Sequence, residues 1–420
     1  MLVYFCLPLF YAVLSIQYSK VSKRSTSKKY QKKYLFYKNY VCFTFSHLRN
    51  VVPEDLFKYF KKYWPQEHNV DLDQLFKDWT EQEGYPMVTV SATSNGKYSL
   101  KQQRFLLNAQ DGSNASLRYT IPITFNNDKM TNFNNLTPKF YFNKTQDEVL
   151  FGNPSHHTWV LLNAQQSNYY RVFYDDFLLN QLKSAFRATN HSSIDASSRS
   201  SVIDDLFTYG SMGLRGYDEI FEFMEYLKEE TEYLPWFAAF KGINTVYQRM
   251  TFEEHKEFAP FLYELLDKVY KKLGFEKSDV TVLDIYNRNK VISWLCRYHH
   301  EDCNNEARNI FHKHVESQTK PLPDFRETLY CSAVRLDQKA YYKLKEMFKT
   351  QMIATEKEKI LRALGCSKLN VEEQYDFILT QEVPQDLKVI GLNSLYSQTP
   401  ENVQPVFELS TNNVEQLAEA

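Results

Sequence analysis

The chain contains no nucleophile elbow, no phosphate-binding glycine loop and no dinucleotide fingerprint, and His-Glu-x-x-His occurs nowhere in its 420 residues. These absences remove the usual residue patterns for hydrolase-type serine chemistry, nucleotide hydrolysis, nicotinamide binding and zinc proteolysis. The nearest approach to a zinc helix is His300-Glu301, but Asp302-Cys303-Asn304 follows and the second histidine is missing. A surplus of positive charge is also lacking, since the formal net charge is -1. That balance hides an asymmetry: residues 1 to 50 carry nine Lys or Arg and no Asp or Glu. The main body is therefore acidic, which argues against nucleic acid as its partner. No apolar run reaches the roughly 20 residues of a spanning helix.

What is present is an ordinary globular composition, 43% hydrophobic and 24% charged, with room for two or three cored domains. Aromatic residues make up 16%, enough to fill helix interfaces without a cofactor. Residues 1–17 form an apolar run of signal-peptide length, and the basic cluster Lys20 to Lys33 lies on its far side. As an anchor, that arrangement would keep the downstream domains in the cytoplasm. Two other readings stand beside it: a cleaved signal peptide, or a segment 1–46 that is not an evolved domain. Four Asn-x-Ser/Thr acceptors, at Asn114, Asn135, Asn143 and Asn190, mark glycosylation candidates and, with paired cysteines, favour the secretory pathway.

Periodicity divides the rest. In PEDLFKYFKKYW, Leu56, Phe57, Phe60 and Trp64 fall at helical spacing, with Glu54 and Asp55 early and Lys61 and Lys62 late, as the helix dipole favours. A second helix is expected over Asp71 to Thr80. Gly84-Tyr85-Pro86 then ends helical sequence, and a period of two begins. Strands are expected at Met87 to Val90, beyond the Asn95-Gly96 turn, at Lys139 to Phe142, at Thr158 to Asn163 and at Tyr169 to Tyr174. In YTIPITF, Tyr119, Ile121, Ile123 and Phe125 should share one face, and Pro122 demands an edge or a bulge. Beyond Asp176 the pattern is helical: Tyr217 to Leu227, Pro235 to Met250, and Phe258 to Leu273 closed by Gly274. The expected fold is multidomain, a small antiparallel β-sandwich (84–175) followed by an α-helical superhelical domain of helical hairpins (176–420). Residues 47–83 would be a helical remnant.

Few residues invite chemistry. Cys296, His299 or His300, and Cys303 could form a metal site on one helix face. The alternative is a disulfide. A continuous helix holds Cα atoms seven residues apart at about 10 Å, so a bridge needs a break between Cys296 and Cys303. The polar HHEDCNNEA sequence allows one, with a new helix near Asp302, and the disulfide is the favoured reading. Cys331 and Cys366 would form a second bridge; loop entropy gives it roughly 4 kcal/mol against roughly 2.5 for the short loop. Asp175-Asp176 and Asp204-Asp205 are read as helix-start charges with diverging side chains rather than an acid/base pair. His156, His157, His312 and His314 are read as solvated surface rather than metal ligands. No catalytic residue and no metal ligand is assigned.

Several blocks resemble the C-terminal half of gluzincin aminopeptidases of the aminopeptidase N family: DWTEQEGYPMVTV, QQRFLL, WVLLNAQQ with YYRVFYD, YLKEETEYLPWFAA, KLGF, WLCRYHHEDC, LYCSAVR and EKEKILRALGCSK. They occur in family order over about residues 53–415. The resemblance implies the end of a catalytic domain up to about Glu83, then a sandwich and a helical domain, with bridges Cys296 to Cys303 and Cys331 to Cys366. It also implies zinc as the family's cofactor and peptides as its partners, but the family's zinc ligands, general base, tyrosine and amino-group-binding glutamate all lie before the residue matching Pro53. None can be carried onto this sequence, and no cofactor is expected on this chain. Two readings of function follow: an incomplete reading of a gene for a zinc aminopeptidase, or a non-catalytic secreted protein that binds peptide or partner. On the first, Pro53 to Glu83 is a stub exposing Leu56, Phe60 and Trp79. Pairing into a homodimer through the helical domain is a further expectation.

Overall fold

The computed structural model describes Phe57, Lys58, Lys61 and residues 70–419, apart from 109–115, 276–280 and positions 318, 320, 322, 324 and 336. The expected leader, the basic cluster, Leu56, Phe60, Trp64 and Asn114 lie outside these residues. The chain divides into two compact units, one ending at Met224 and the other running over Glu225–Ala420.

In the first unit, helix α1 (Leu72–Thr80) begins where the Asp71 carboxylate accepts the Asp73 and Gln74 amides. Its Leu72, Leu75, Phe76 and Trp79 are all buried. The expectation that Trp79 lies exposed is therefore corrected: it is 9% exposed, and its indole N–H donates to the Thr120 carbonyl at 3.1 Å. Sequence alone could not place this partner 41 residues away.

Strands β1 (Pro86–Ala92) and β2 (Tyr98–Arg104) form the expected hairpin, in register from Pro86 with Arg104 to Ala92 with Tyr98. Gly96 turns the chain at φ 68°, a conformation that favours glycine. The YTIPITF run breaks into β3 (Ile121–Ile123) and β4 (Phe125–Asn127), which take different partners. β3 pairs with β5 (Phe140–Phe142) in a two-stranded sheet, an edge position that suits Pro122. β4 pairs with β7 (Val160–Leu162), and Thr124 between them accepts the Asn163 amide at 2.9 Å. All three residues of β3 are buried, so its alternation does not divide core from solvent. β6 (Val149–Phe151), not anticipated from the sequence, covers the outer edge of β2. β8 (Arg171–Tyr174) runs beside β1 in parallel, the one parallel pairing in an otherwise antiparallel set among the described strands. Helices α2 (Asp176–Arg187), α3 (Ala196–Ser211) and α4 (Tyr217–Met224) complete this unit. Asp175 is the N-cap of α2, taking the Leu178 amide, and its other oxygen accepts the Ala92 amide at 2.8 Å.

The second unit is helical throughout its described length. α5 (Tyr233–Tyr247) places Pro235 in its first turn, where its missing N–H has no intrahelical partner to lose. α6 (Phe252–Leu273) starts earlier than periodicity suggested, because a Thr251–Glu254 capping box fixes its N-terminus and Pro260 lies inside it. It ends at Gly274, φ 52°. α7 (Val282–Arg297) carries a second capping box, Thr281–Asp284. α8 (Glu301–Glu316), α9 (Arg326–Val334), α10 (Gln338–Thr350), α11 (Ala354–Leu364), α12 (Val371–Leu379), α13 (Gln385–Ser397), α14 (Val403–Asn412) and α15 (Val414–Glu419) follow. α9 packs on α8 and α11, and α11 on α13, around buried Tyr341, Leu344, Phe348, Leu361, Tyr375 and Ile378.

Candidate functional site

Three groupings stand out: a charge cluster in the first unit, the cysteine corner in the second, and an exposed aromatic patch in the second. The first is built on Gly84-Tyr85-Pro86. Gly84 has φ 78°, and a Cβ there would meet the Arg104 Nε at 2.9 Å. Tyr85 stacks on Phe105 at 5.1 Å, and its hydroxyl accepts from Arg171 Nε at 3.3 Å. Arg171 Nη1 donates to Asp204 at 2.9 Å and to Asp205 at 2.6 Å, and the second Asp205 oxygen accepts the Val172 amide. This corrects the reading of Asp204-Asp205 as helix-start charges. Both lie inside α3 and converge on one guanidinium, supplied by a strand that is 33 residues earlier. Burial pushes the Asp205 carboxyl up to about 7, against the opposing pull of Arg171 and the Val172 amide. The two carboxylates in turn hold Arg171 charged, outweighing its own burial. Asp78 makes a second buried centre, taking Thr120 N, Gln74 Nε2 and Lys144 Nζ, the last at 2.8 Å. Such networks fasten elements together. Both small cavities nearby, lined in common by Val172, Tyr174, Val202 and Asp205, are on the scale of one water molecule, far too small for a peptide.

At the cysteine corner α7 stops at Arg297, His299 adopts φ 63°, and the His300 ring caps α8 through the Cys303 amide. This is the break that a short-loop bridge requires. Cys296 and Cys303 are joined with Cα atoms 5.4 Å apart, and Cys331 and Cys366 are joined at 5.2 Å. The metal reading of Cys296, His299, His300 and Cys303 therefore falls, because both sulfurs are bonded to each other. His299 lies beside Lys368, which also holds Glu401. Burial opposes ionisation of Glu401, yet hydrogen bonds from His299 and Lys368 bring its carboxyl down to about 2.

The remaining histidines are mostly engaged locally: His157 Nδ1 lies 2.8 Å from Asp128, His312 is 3.2 Å from Asp337, and His314 is 2.6 Å from the Thr319 hydroxyl. The acceptors Asn135, Asn143 and Asn190 are all exposed. Helices α5 and α7 together present exposed Phe237, Val282, Leu283 and Tyr286, and half-buried Tyr233 meets Phe237 at 5.7 Å and Tyr286 at 6.0 Å. No sequence signal distinguished this patch from core, since YLPWF alternates buried Trp236 with exposed Phe237 on the same helix.

The sequence profile of the family described as the ERAP1-like C-terminal domain matches residues 159–420. The chain belongs to this family. Among curated relatives, "Aminopeptidase N" of Plutella xylostella is 29% identical over 80% of the chain and 36% of its own length. "Membrane alanyl aminopeptidase" of Manduca sexta is 27% identical over 83% and 36%. "Endoplasmic reticulum aminopeptidase 1" of Homo sapiens is 26% identical over 79% and 36%. The chain thus spans about a third of the length of these curated relatives. The resemblance read from the cysteine and tryptophan blocks stands, as does the order of a sheet region followed by helices. Among the described residues no helix is long and apolar enough to cross a membrane.

Proposed function

We propose that this polypeptide is a supporting, non-catalytic part of a zinc-dependent aminopeptidase that removes N-terminal residues from peptides. The observation that carries this reading is the family match across residues 159–420, alongside relatives named as aminopeptidases. The residues present do not fit the family's zinc. Among the described residues no three His, Cys, Asp or Glu side chains come together, four cysteines are consumed in disulfides, and His300 is engaged as a helix cap. The zinc and its ligands would therefore come from outside the described residues. Purified chain should neither hydrolyse aminoacyl anilides nor hold stoichiometric zinc; turnover or tightly bound metal would overturn the proposal. The paired cysteines and the exposed acceptors Asn135, Asn143 and Asn190 also support passage through the secretory pathway to the cell surface or outside, with glycans on these and on Asn114; a homodimer through the helical unit is proposed beside this. Glycosidase-sensitive mass and sedimentation of the secreted chain test these.

A second reading, a binding protein for peptides or a partner, draws on the exposed patch of Phe237, Val282, Leu283 and Tyr286 beside half-buried Tyr233. It predicts saturable peptide binding that Phe237→Ser abolishes.

A further inference from the structure

Both disulfides of the helical unit touch one buried cation. Arg335, the residue that closes α9, is 2% exposed. Its Nη1 donates to the Cys296 carbonyl, and its Nη2 lies 3.2 Å from Cys331 Sγ. Neither contact is to an anion, and Arg335 makes no ion pair among the described residues. The charged and titratable groups facing it are Arg297 on α7, Tyr247 on α5 and Glu401 in the turn before α14. Arg297 opposes its charge, and Glu401 is already held by Lys368. Glu327, one turn before Cys331 on α9, faces Arg297 and Arg362. A guanidinium taken out of water without a full counter-charge is costly, and a sulfur that reduction can turn into an anion lies 3.2 Å from it.

We propose that Cys331–Cys366 is a redox-responsive bond, with Arg335 the counter-ion that receives the Cys331 thiolate when a dithiol reductant opens it. Cys366 is 1% exposed, so attack follows a local opening of this corner: the reductant's thiolate attacks Cys366 Sγ, the S–S bond breaks, and its electron pair leaves on Cys331 Sγ, directly against the guanidinium. The reductant's second thiol loses its proton and attacks the mixed disulfide. Cys366 leaves as thiolate and takes up a proton, while the reductant becomes a cyclic disulfide. Two electrons pass from reductant to protein. Stabilising the reduced form makes a disulfide more oxidising, and a leaving thiolate held by positive charge departs faster. Arg335 reaches only the backbone carbonyl of Cys296, so Cys296–Cys303 lacks this assistance. Both sulfurs sit in one buried core with Tyr330, Ala333, Tyr341, Leu361 and Leu364. The proposal is independent of whether the chain serves a catalytic domain.

The test equilibrates the full chain with dithiothreitol at graded redox ratios, traps free thiols by alkylation and maps both pairs by mass spectrometry. Cys331–Cys366 should reduce at a less reducing ratio than Cys296–Cys303. In the reduced chain, alkylation at pH 7 should be about tenfold faster at Cys331 than at Cys366, reflecting a thiolate formed below the ordinary thiol range. Arg335→Gln should erase both differences and Arg335→Lys should keep part of them. Equal ratios for the two bridges, or faster alkylation of Cys366, would overturn the proposal in the wild-type chain alone, whether or not the variants fold. Unchanged behaviour in folded Arg335→Gln would overturn the role of the guanidinium.

Discussion

Arg171 in the sheet unit and Arg335 in the helical unit are the same side chain under opposite arrangements. Arg171 meets two carboxylates, Asp204 and Asp205, and is held more firmly charged than a free guanidinium. Arg335 meets a carbonyl and a sulfur, and burial followed by repulsion from Arg297 pulls it down to about 10. A buried charge is stable next to charge of the other sign, and merely tolerated next to dipoles. The sheet unit therefore uses its arginine as a fastener between β8 and α3. The helical unit holds its arginine beside two covalent cross-links that already secure the corner.

The largest effect that would break this contrast comes from Arg171→Met, which leaves Asp204 and Asp205 together without their cation. It should destabilise the sheet unit by about 3 kcal/mol or more in urea unfolding, because breaking one side of a buried pair leaves charge uncompensated. If the loss is no greater than that of Arg335→Met, the two sites are alike and the contrast fails.

A smaller effect concerns pH. The folded Asp205 carboxyl, raised to about 7 chiefly by burial, keeps its proton longer than an unfolded aspartate. Its contribution is therefore complete below about pH 4 and is lost as the pH rises through 7. Stability measured relative to Asp205→Asn should fall across that window; a flat difference would mean that Arg171 keeps Asp205 ionised throughout. The smallest effect is expected for Arg335→Met. Losing the donor to the Cys296 carbonyl costs about 1–3 kcal/mol, and relief from burying the cation offsets most of it, leaving a net change of about 1 kcal/mol. Thermal unfolding with both disulfides intact reads that difference.

The parts of this molecule that were legible in the sequence are those written locally. The β1–β2 hairpin follows from Asn95-Gly96, α6 ends at Gly274 as its composition announced, and the polar stretch between Cys296 and Cys303 holds the break that lets them meet. What stayed hidden depends on distant partners. Trp79 reads as an exposed end until Thr120 closes over it, and Asp204-Asp205 read as helix-start charges until Arg171 arrives from a strand. β6 is only three residues long, too short for alternation to register, and the parallel placing of β8 has no signature beyond its own apolar residues. The aromatic patch escaped for another reason: helical spacing is identical whether a tyrosine faces a core or water.

The pairing of β1 with β8 also has a mechanical meaning. Parallel neighbours that open and close a sheet are loaded in shear when tension is applied before Pro86 and after Tyr174. The register from Met87 with Arg171 to Val90 with Tyr174 then resists as a group, with no end from which the bonds can peel in turn. A pull transmitted along the chain would meet this clamp before reaching the hairpin behind it.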